Sequence, residues 1–300
     1  MPAPAGALLD RCRFPDDRAG PVPLGVSGGA DSVAMALLAA ESGLRFTIWH
    51  VDHGLRSSSA VESEMVARLA TMLGVPFEHR PVALVDGPDL EARARRARYE
   101  VLPADVCVAH TADDRAETIL MHLFRGAGPA GVATPMDLVH RPLLALRRHE
   151  TRTLCAAAGV AVVDDEHNDD PRFTRVRVRH ELLPLVVDIF DRDPVPLLVR
   201  HADQVADALS MVRADAAAVD PTVVADLRAA PVPVAAEAIR SWIRRETGAP
   251  HSVDAASIAR VRSVVAGEIK ATEVTGGHRI ARSQGRLAIS LASPDGQART

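Results

Sequence analysis

Two glycines followed by a carboxylate, in Ser27-Gly28-Gly29-Ala30-Asp31-Ser32, are the residues whose types and spacing point most directly to chemistry. Glycine admits positive φ and lets a ligand approach closely. The backbone N–H groups of such a turn form an anion nest, and a helix opening after it adds the positive end of its dipole. Phosphate fits this cradle. A Walker A loop carries lysine after its last glycine, whereas Gly29 is followed by Ala30-Asp31-Ser32, so this is a different phosphate loop. A carboxylate beside bound phosphate calls for a cation between them, which makes Asp31 a candidate Mg²⁺ ligand. The bland alternative is a glycine turn with an Asx cap.

Other polar groups follow apolar runs in the same way. Phe46 to Val51 reads as a central parallel strand, and His50, Asp52 and His53 fall at its end, where open α/β sheets bind ligands. Val106 to Ala109 reads as a short buried strand and leads into His110-Thr111-Ala112-Asp113-Asp114-Arg115-Ala116-Glu117-Thr118. Asp114, Glu117 and Thr118 share one helix face by their i, i+3, i+4 spacing. Carboxylates so close call for a cation or an amine, unless they only complement a helix N-terminus. Arg125-Gly126-Ala127-Gly128 makes a loop able to approach a ligand. The sharpest charge switch runs from Asp164–Asp170 into Arg172 to Arg179. Arg175, Arg177 and Arg179 share a face if extended, Arg175 and Arg179 if helical, and either arrangement suits polyphosphate or RNA. Arg93, Arg95, Arg96 and Arg98 crowd one helix, and Arg279, Arg282 and Arg286 lie with His278 in an acid-free stretch near the C-terminus.

The elements that must hold these residues alternate. A strand at Val22–Val26 leads to an apolar helix from Val33, and helices at 57–74 and 90–102 flank a strand at 76–82. An extended edge segment at 141–144, a helix at 149–158 and a last strand at 160–163 follow, with a short entry helix at 8–18 before them all. Such alternation predicts an α/β fold with a doubly wound parallel sheet. After Pro184 the character changes to a long helix at 197–218, two more near 234–247 and 253–265, and a terminal β-hairpin. The expected domains are 1–188, catalytic, and 189–300, a mainly helical C-terminal domain ending in the hairpin.

Composition narrows the field. An apolar fraction of 47% supports a core, and 3% aromatic means that Ala, Val and Leu build it. No run of about 18 apolar residues is present and no leader is apparent, so a cytoplasmic protein without a membrane partner is expected. Cys12, Cys107 and Cys155 are odd in number and far apart, which argues against disulfides and zinc. The net charge of −4 gives no hint of nucleic acid, and Lys270 is the single lysine among 35 basic residues, so an arginine carries little meaning merely for not being lysine.

Ser27–Ser32 resembles the S-G-G-x-D-S loop of the N-type ATP pyrophosphatases, which cleave ATP between the α- and β-phosphates and adenylate a substrate oxygen. The later motifs, His50 to Arg56, Glu91 with Arg95-Arg96-Ala97-Arg98-Tyr99, Ala109 to Asp114 with Glu117-Thr118, Arg125-Gly126, Arg141 to Leu144, and Asp165 with Asn168, resemble those of the tRNA(Ile)-lysidine synthetases. The likeness covers Leu24 to Pro184 and extends to the helices and hairpin beyond. It departs at Val176, where the family usually has asparagine.

The resemblance implies that ATP, held with Mg²⁺ by Ser27, Gly28, Gly29, Ala30, Asp31 and Ser32 and by His50, Asp52 and His53, adenylates the wobble cytidine of an isoleucine tRNA with a CAU anticodon. Free L-lysine then displaces AMP. It implies catalytic roles for Asp31, Asp114, Glu117 and one or more of Arg175, Arg177 and Arg179, with Asp114 and Glu117 positioning metal or lysine and accepting its proton. Contacts to tRNA fall to Arg95, Arg98, His110, Arg125, Gly126, Arg279 and Arg282. Oligomeric state stays open, a homodimer included. The rival readings are a tRNA thiolase, disfavoured by the absence of a C-x-x-C pair, and a non-catalytic nucleotide- or tRNA-binding module, disfavoured by the retained acids.

Overall fold

The computed structural model describes residues 5–52, 59–82, 90–133, 140–163, 170–248, 253–274 and 276–291. They form two compact units, residues 1–125 with 134–201, and residues 126–133 with 202–300.

In the first unit α1 (Ala5–Leu9) precedes β1 (Val22–Gly25), α2 (Ala30–Glu41), β2 (Phe46–Asp52), α3 (Ser59–Leu73), β3 (Phe77–Pro81) and α4 (Leu90–Val101). The three strands are parallel, with β2 between β1 and β3. On its other side Leu24 of β1 bridges Cys107, and Cys107 bridges His140, both in parallel. The sheet therefore runs outward from β1 in both directions, which makes the end of β1 the switch point where α/β sheets bind ligands. The fold is the expected α/β doubly wound parallel sheet.

Four local expectations change. The segment at 106–109 contributes only single bridges. Arg141 to Leu144 forms a turn and not an extended edge, because Leu143 is buried in the core. Val160 to Val163 is not a strand, although the Val163 N–H donates to the Gly28 carbonyl at 2.9 Å. The entry helix is also shorter than predicted and ends at Leu9.

α2 is buried on nearly every side from Val33 to Ala39, which explains its continuous apolar run. It packs on α1, α3, β1 and α7 (Arg148–Ala157). Leu24, Ile48, Met35, Leu38, Leu143, Leu146 and Leu154 fill the core around it, each contributing about 1.5–3 kcal/mol by burial. A satellite core joins α5 (Ala112–Phe124) to the arginine-rich segment. Ala112, Ala116 and Leu120 meet Val178, Leu183 and Val195, so α8 (Thr174–Arg177), a π-helical turn (Val178–Leu182) and α9 (Leu183–Phe190) lie along α5.

The second unit contains α6 (Pro129–Val132), the later part of α10 (Pro194–Ala217), α11 (Val224–Ala229), α12 (Val232–Thr247) and α13 (Ala255–Ala266). The predicted hairpin is a three-stranded antiparallel sheet, β4 (Ala271–Val274), β5 (His278–Ser283) and β6 (Arg286–Leu291). Ile239, Trp242, Ile243, Val261, Val264, Ile280 and Leu287 form its core. No helix among the described residues is long and apolar enough to cross a membrane.

Candidate active site

The turn after β1 has the geometry its glycines predict. Gly28 has φ +97°, and a Cβ there would lie 3.0 Å from Met65 Cε. Gly29 has ordinary backbone angles, and a Cβ there would stand at ordinary contact distance, 3.6 Å from Ser27 Oγ and 3.9 Å from the Val163 carbonyl oxygen. The Ser27 and Gly28 N–H groups both donate to Ser32 Oγ at 3.2 Å, and that hydroxyl donates to the Gly29 carbonyl at 2.8 Å. The loop amides thus converge on an oxygen, as an anion nest must.

Asp31 lies in the first turn of α2. Its Oδ1 accepts a hydrogen bond from the Thr151 hydroxyl, and its Oδ2 is 3.8 Å from Arg148 Nε. Burial pushes the Asp31 carboxyl up to about 6, against the pull of Thr151 and Arg148 and with the help of the neighbouring Asp114 charge.

α5 brings Asp114 and Glu117 to the same place, on the shared face that their spacing predicts. Asp114 Oδ2 accepts the Thr111 N–H at 2.8 Å and the Thr111 hydroxyl at 2.9 Å, while Oδ1 takes Arg148 Nη2 at 2.9 Å. Burial works to raise the Asp114 pKa, but Arg148, Arg175 and His110 hold it below the usual carboxylate value. Glu117 is fully enclosed. Its Oε1 accepts from Arg148 Nη1 at 3.1 Å and Arg179 Nε at 2.8 Å, and its Oε2 from Arg175 Nε at 2.7 Å and Arg179 Nη2 at 3.2 Å. The cation expected beside the acids is therefore arginine. Three carboxylates, Asp31, Asp114 and Glu117, meet three guanidinium groups, so the cluster is neutral and almost every oxygen is paired.

This geometry bears on two expectations. Glu117 has no exposed oxygen with which to accept a proton from an amine; its carboxylate aims arginines instead. Arg177 is not in the cluster. The segment is helical, so Arg175 and Arg179 face α5 while Arg177 lies on the outer side, paired with Glu181 four residues on at 2.7 Å.

The remaining candidates divide. His50 is buried at the end of β2, with Nδ1 2.8 Å from the Val26 carbonyl, and burial lowers its pKa. It ties strand to loop from the interior. Its ring stacks on His79, whose Nε2 is 3.9 Å from Asp52 Oδ2. His110 Nδ1 accepts from Arg141 Nε at 2.8 Å. Arg98 is exposed on α4, whereas His53 and the Arg95 side chain lie outside the described residues. Arg125 closes α5 as an exposed residue of the first unit, and Gly126, with φ +76°, belongs to the second. In β5, Arg279 is exposed but Arg282 is on the opposite face, where its Nη1 donates to the Val265 carbonyl at 3.3 Å and so helps to close α13. Arg282 is thus tied to its own unit.

Nothing in the local sequence singles out Arg148, Thr151 or His79. The helix that carries Arg148 and Thr151 was legible, but an arginine in so arginine-rich a chain gave no signal of its own.

Residues 11–186 match the family model described as the PP-loop domain. The chain is 37% identical over 240 residues to the tRNA(Ile)-lysidine synthase of Rhodococcus opacus (strain B4), covering 75% of this chain and 74% of that protein. It is 38% identical to that of Mycobacterium leprae (strain TN), covering 73% of each. With the Salinispora tropica enzyme the identity is 35% over 304 residues, covering 89% of this chain and 90% of the relative. A solved U34-tRNA thiolase from Methanococcus maripaludis, 14% identical, shares the fold with a TM-score of 0.52 over 68% of this chain and 78% of that one. Loop, carboxylates and arginines sit where the sheet order reverses, and relatives of one name cover most of the chain: it belongs to the tRNA(Ile)-lysidine synthase family and is built on a PP-loop domain.

Proposed function

We propose that this chain ligates L-lysine to carbon 2 of the wobble cytidine of an isoleucine tRNA with a CAU anticodon, consuming ATP and releasing pyrophosphate and AMP. The observation that carries this reading is the junction of the phosphate loop with the acid–arginine cluster through Asp31 and Arg148. It couples the site for ATP to groups able to handle a second, charged substrate.

The residues fit their guests. The positive φ of Gly28 and the start of α2 suit a phosphate group, whose oxygens would take the Ser27 and Gly28 amides from Ser32 Oγ. Asp31, a hard oxygen donor in the first turn after the phosphate loop, would hold Mg²⁺. When bound, Mg²⁺ would neutralise charge on the phosphates. Arg175 and Arg179, partly exposed and fixed by Glu117, would stabilise charge developing at the α-phosphate when the cytidine carbonyl oxygen attacks it. Asp114, whose side chain keeps slight exposure, would meet the lysine ammonium and accept its proton, and the freed ε-amine would then attack carbon 2 as the bond to AMP breaks. Arg98, Arg125 and Arg279, exposed and basic, would contact the tRNA backbone, and an anticodon base is already accessible to single-strand recognition.

Sulfur transfer is not supported, because burial raises Cys12 and Cys155 to about 11 and Cys107 to about 12, which keeps all three protonated. The test is transfer of labelled lysine to unmodified isoleucine tRNA, with pyrophosphate release measured beside it. Release that requires tRNA, together with lysine incorporation, supports the reading. Release with sulfur incorporation, or ATP binding with no release under any combination of substrates, overturns it.

A further inference from the structure

We infer that Thr151 is a positioning residue for the phosphate-loop aspartate, through a hydrogen bond from its hydroxyl to Asp31 Oδ1. The inference rests on the reading of Asp31 as the residue that binds Mg²⁺ with ATP.

Arg148, Thr151 and Cys155 follow one another at i, i+3 and i+7 and share a face of α7. All three meet the start of α2. Arg148 Nε stands 3.8 Å from Asp31 Oδ2, the Thr151 hydroxyl is bonded to Oδ1, and Cys155 Sγ lies 3.3 Å from the Ala30 carbonyl. Leu154 on the same helix is fully buried, so the contact is part of the core and not a surface accident.

An aspartate in a first helical turn has the unpaired N–H groups of its own helix as competing partners. The contacts from α7 select one rotamer while the side chain keeps partial exposure. Of the two partners Thr151 is the more specific. Arg148 also serves Asp114 and Glu117, so its loss would disturb the whole cluster. The Thr151 hydroxyl has one proton and two acceptors in reach, Asp31 Oδ1 and the Arg148 carbonyl at 2.8 Å. Only the first of these reaches the loop. Thr151 is itself wholly buried and cannot touch ATP.

The experiment measures ATP affinity by calorimetry in saturating Mg²⁺ on the full chain, for wild type, Thr151→Val, Thr151→Ser, Asp31→Ala and the Asp31→Ala/Thr151→Val double variant. Valine keeps the shape and removes the donor, and a lost hydrogen bond to a charged group predicts a Kd raised about tenfold or more. Serine is expected to restore affinity to within about threefold, since it returns the hydroxyl. In the Asp31→Ala background Thr151→Val adds nothing if Thr151 acts through Asp31. A Thr151→Val Kd within about twofold of wild type, or an equal loss in both backgrounds, overturns the inference. Should valine prevent folding, Thr151→Ala removes the donor with less bulk and is judged by the same criteria. Wild-type affinity in Asp31→Ala would instead overturn the reading of Asp31, and the inference with it.

Discussion

Replacing Glu117 by glutamine separates two roles that the same carboxylate could fill. The substitution keeps the shape but converts one oxygen to an NH₂ group. Each oxygen now accepts two guanidinium N–H bonds, from Arg148 and Arg179 on one side and Arg175 and Arg179 on the other. Whichever way the amide turns, two of the four bonds become donor–donor contacts. The buried cluster also changes from three charges of each sign to a net positive one. Hydrogen bonds to charged groups are worth about 1.5–3 kcal/mol each, and removal of one partner from a buried ion pair costs about 3–5 kcal/mol. These effects overlap, so a loss of about 3–5 kcal/mol in the first unit is expected. Urea unfolding followed by circular dichroism measures it, with lysine transfer assayed in parallel. If Glu117 anchors the arginines, stability and activity fall together. A variant that loses lysine transfer while its stability changes by less than about 1 kcal/mol would refute the anchor role and return Glu117 to the substrate.

Three further outcomes follow from the geometry. Asp31 has a folded pKa of about 6 against an ordinary 3.8, so its protonation stabilises the fold; that contribution is fully present below about pH 4, is lost as pH rises through about 6, and amounts to about 3 kcal/mol. Asp31→Asn should therefore raise the melting temperature of the ligand-free chain at pH 8 relative to wild type, with the difference vanishing near pH 4, and equal melting at pH 8 would contradict this. Arg177→Ala should leave lysine transfer within about twofold of wild type, because an exposed pair with Glu181 holds nothing else in place, whereas Arg175→Lys and Arg179→Lys should each reduce it at least about tenfold through loss of the forked contact. In tRNA binding, Arg279→Ala should weaken affinity and reduce the salt slope by about one, while Arg282→Ala should lower the thermal stability of the second unit and leave that slope unchanged.

Residues close in the chain were legible from type and spacing alone. The phosphate loop needs only a strand, two glycines and a helix start in succession, and α5 needs only its period to bring Asp114 and Glu117 to one face. Strand alternation also separates Arg279 from Arg282: they are an odd number of residues apart in β5, which puts them on opposite faces. What the sequence could not decide was which charges meet. Thr151 lies 120 residues from Asp31 and Arg175 lies 58 from Glu117, and no local pattern encodes either approach. The choice among Arg175, Arg177 and Arg179 depended on whether their segment is extended or helical, which its packing against α5 settles. Local periodicity thus determined the elements and the residues on their faces; the tertiary structure decided that the acids of α5 are answered by arginines from α7, α8 and the π-helical turn after it, because only burial makes it costly to leave such charges unpaired.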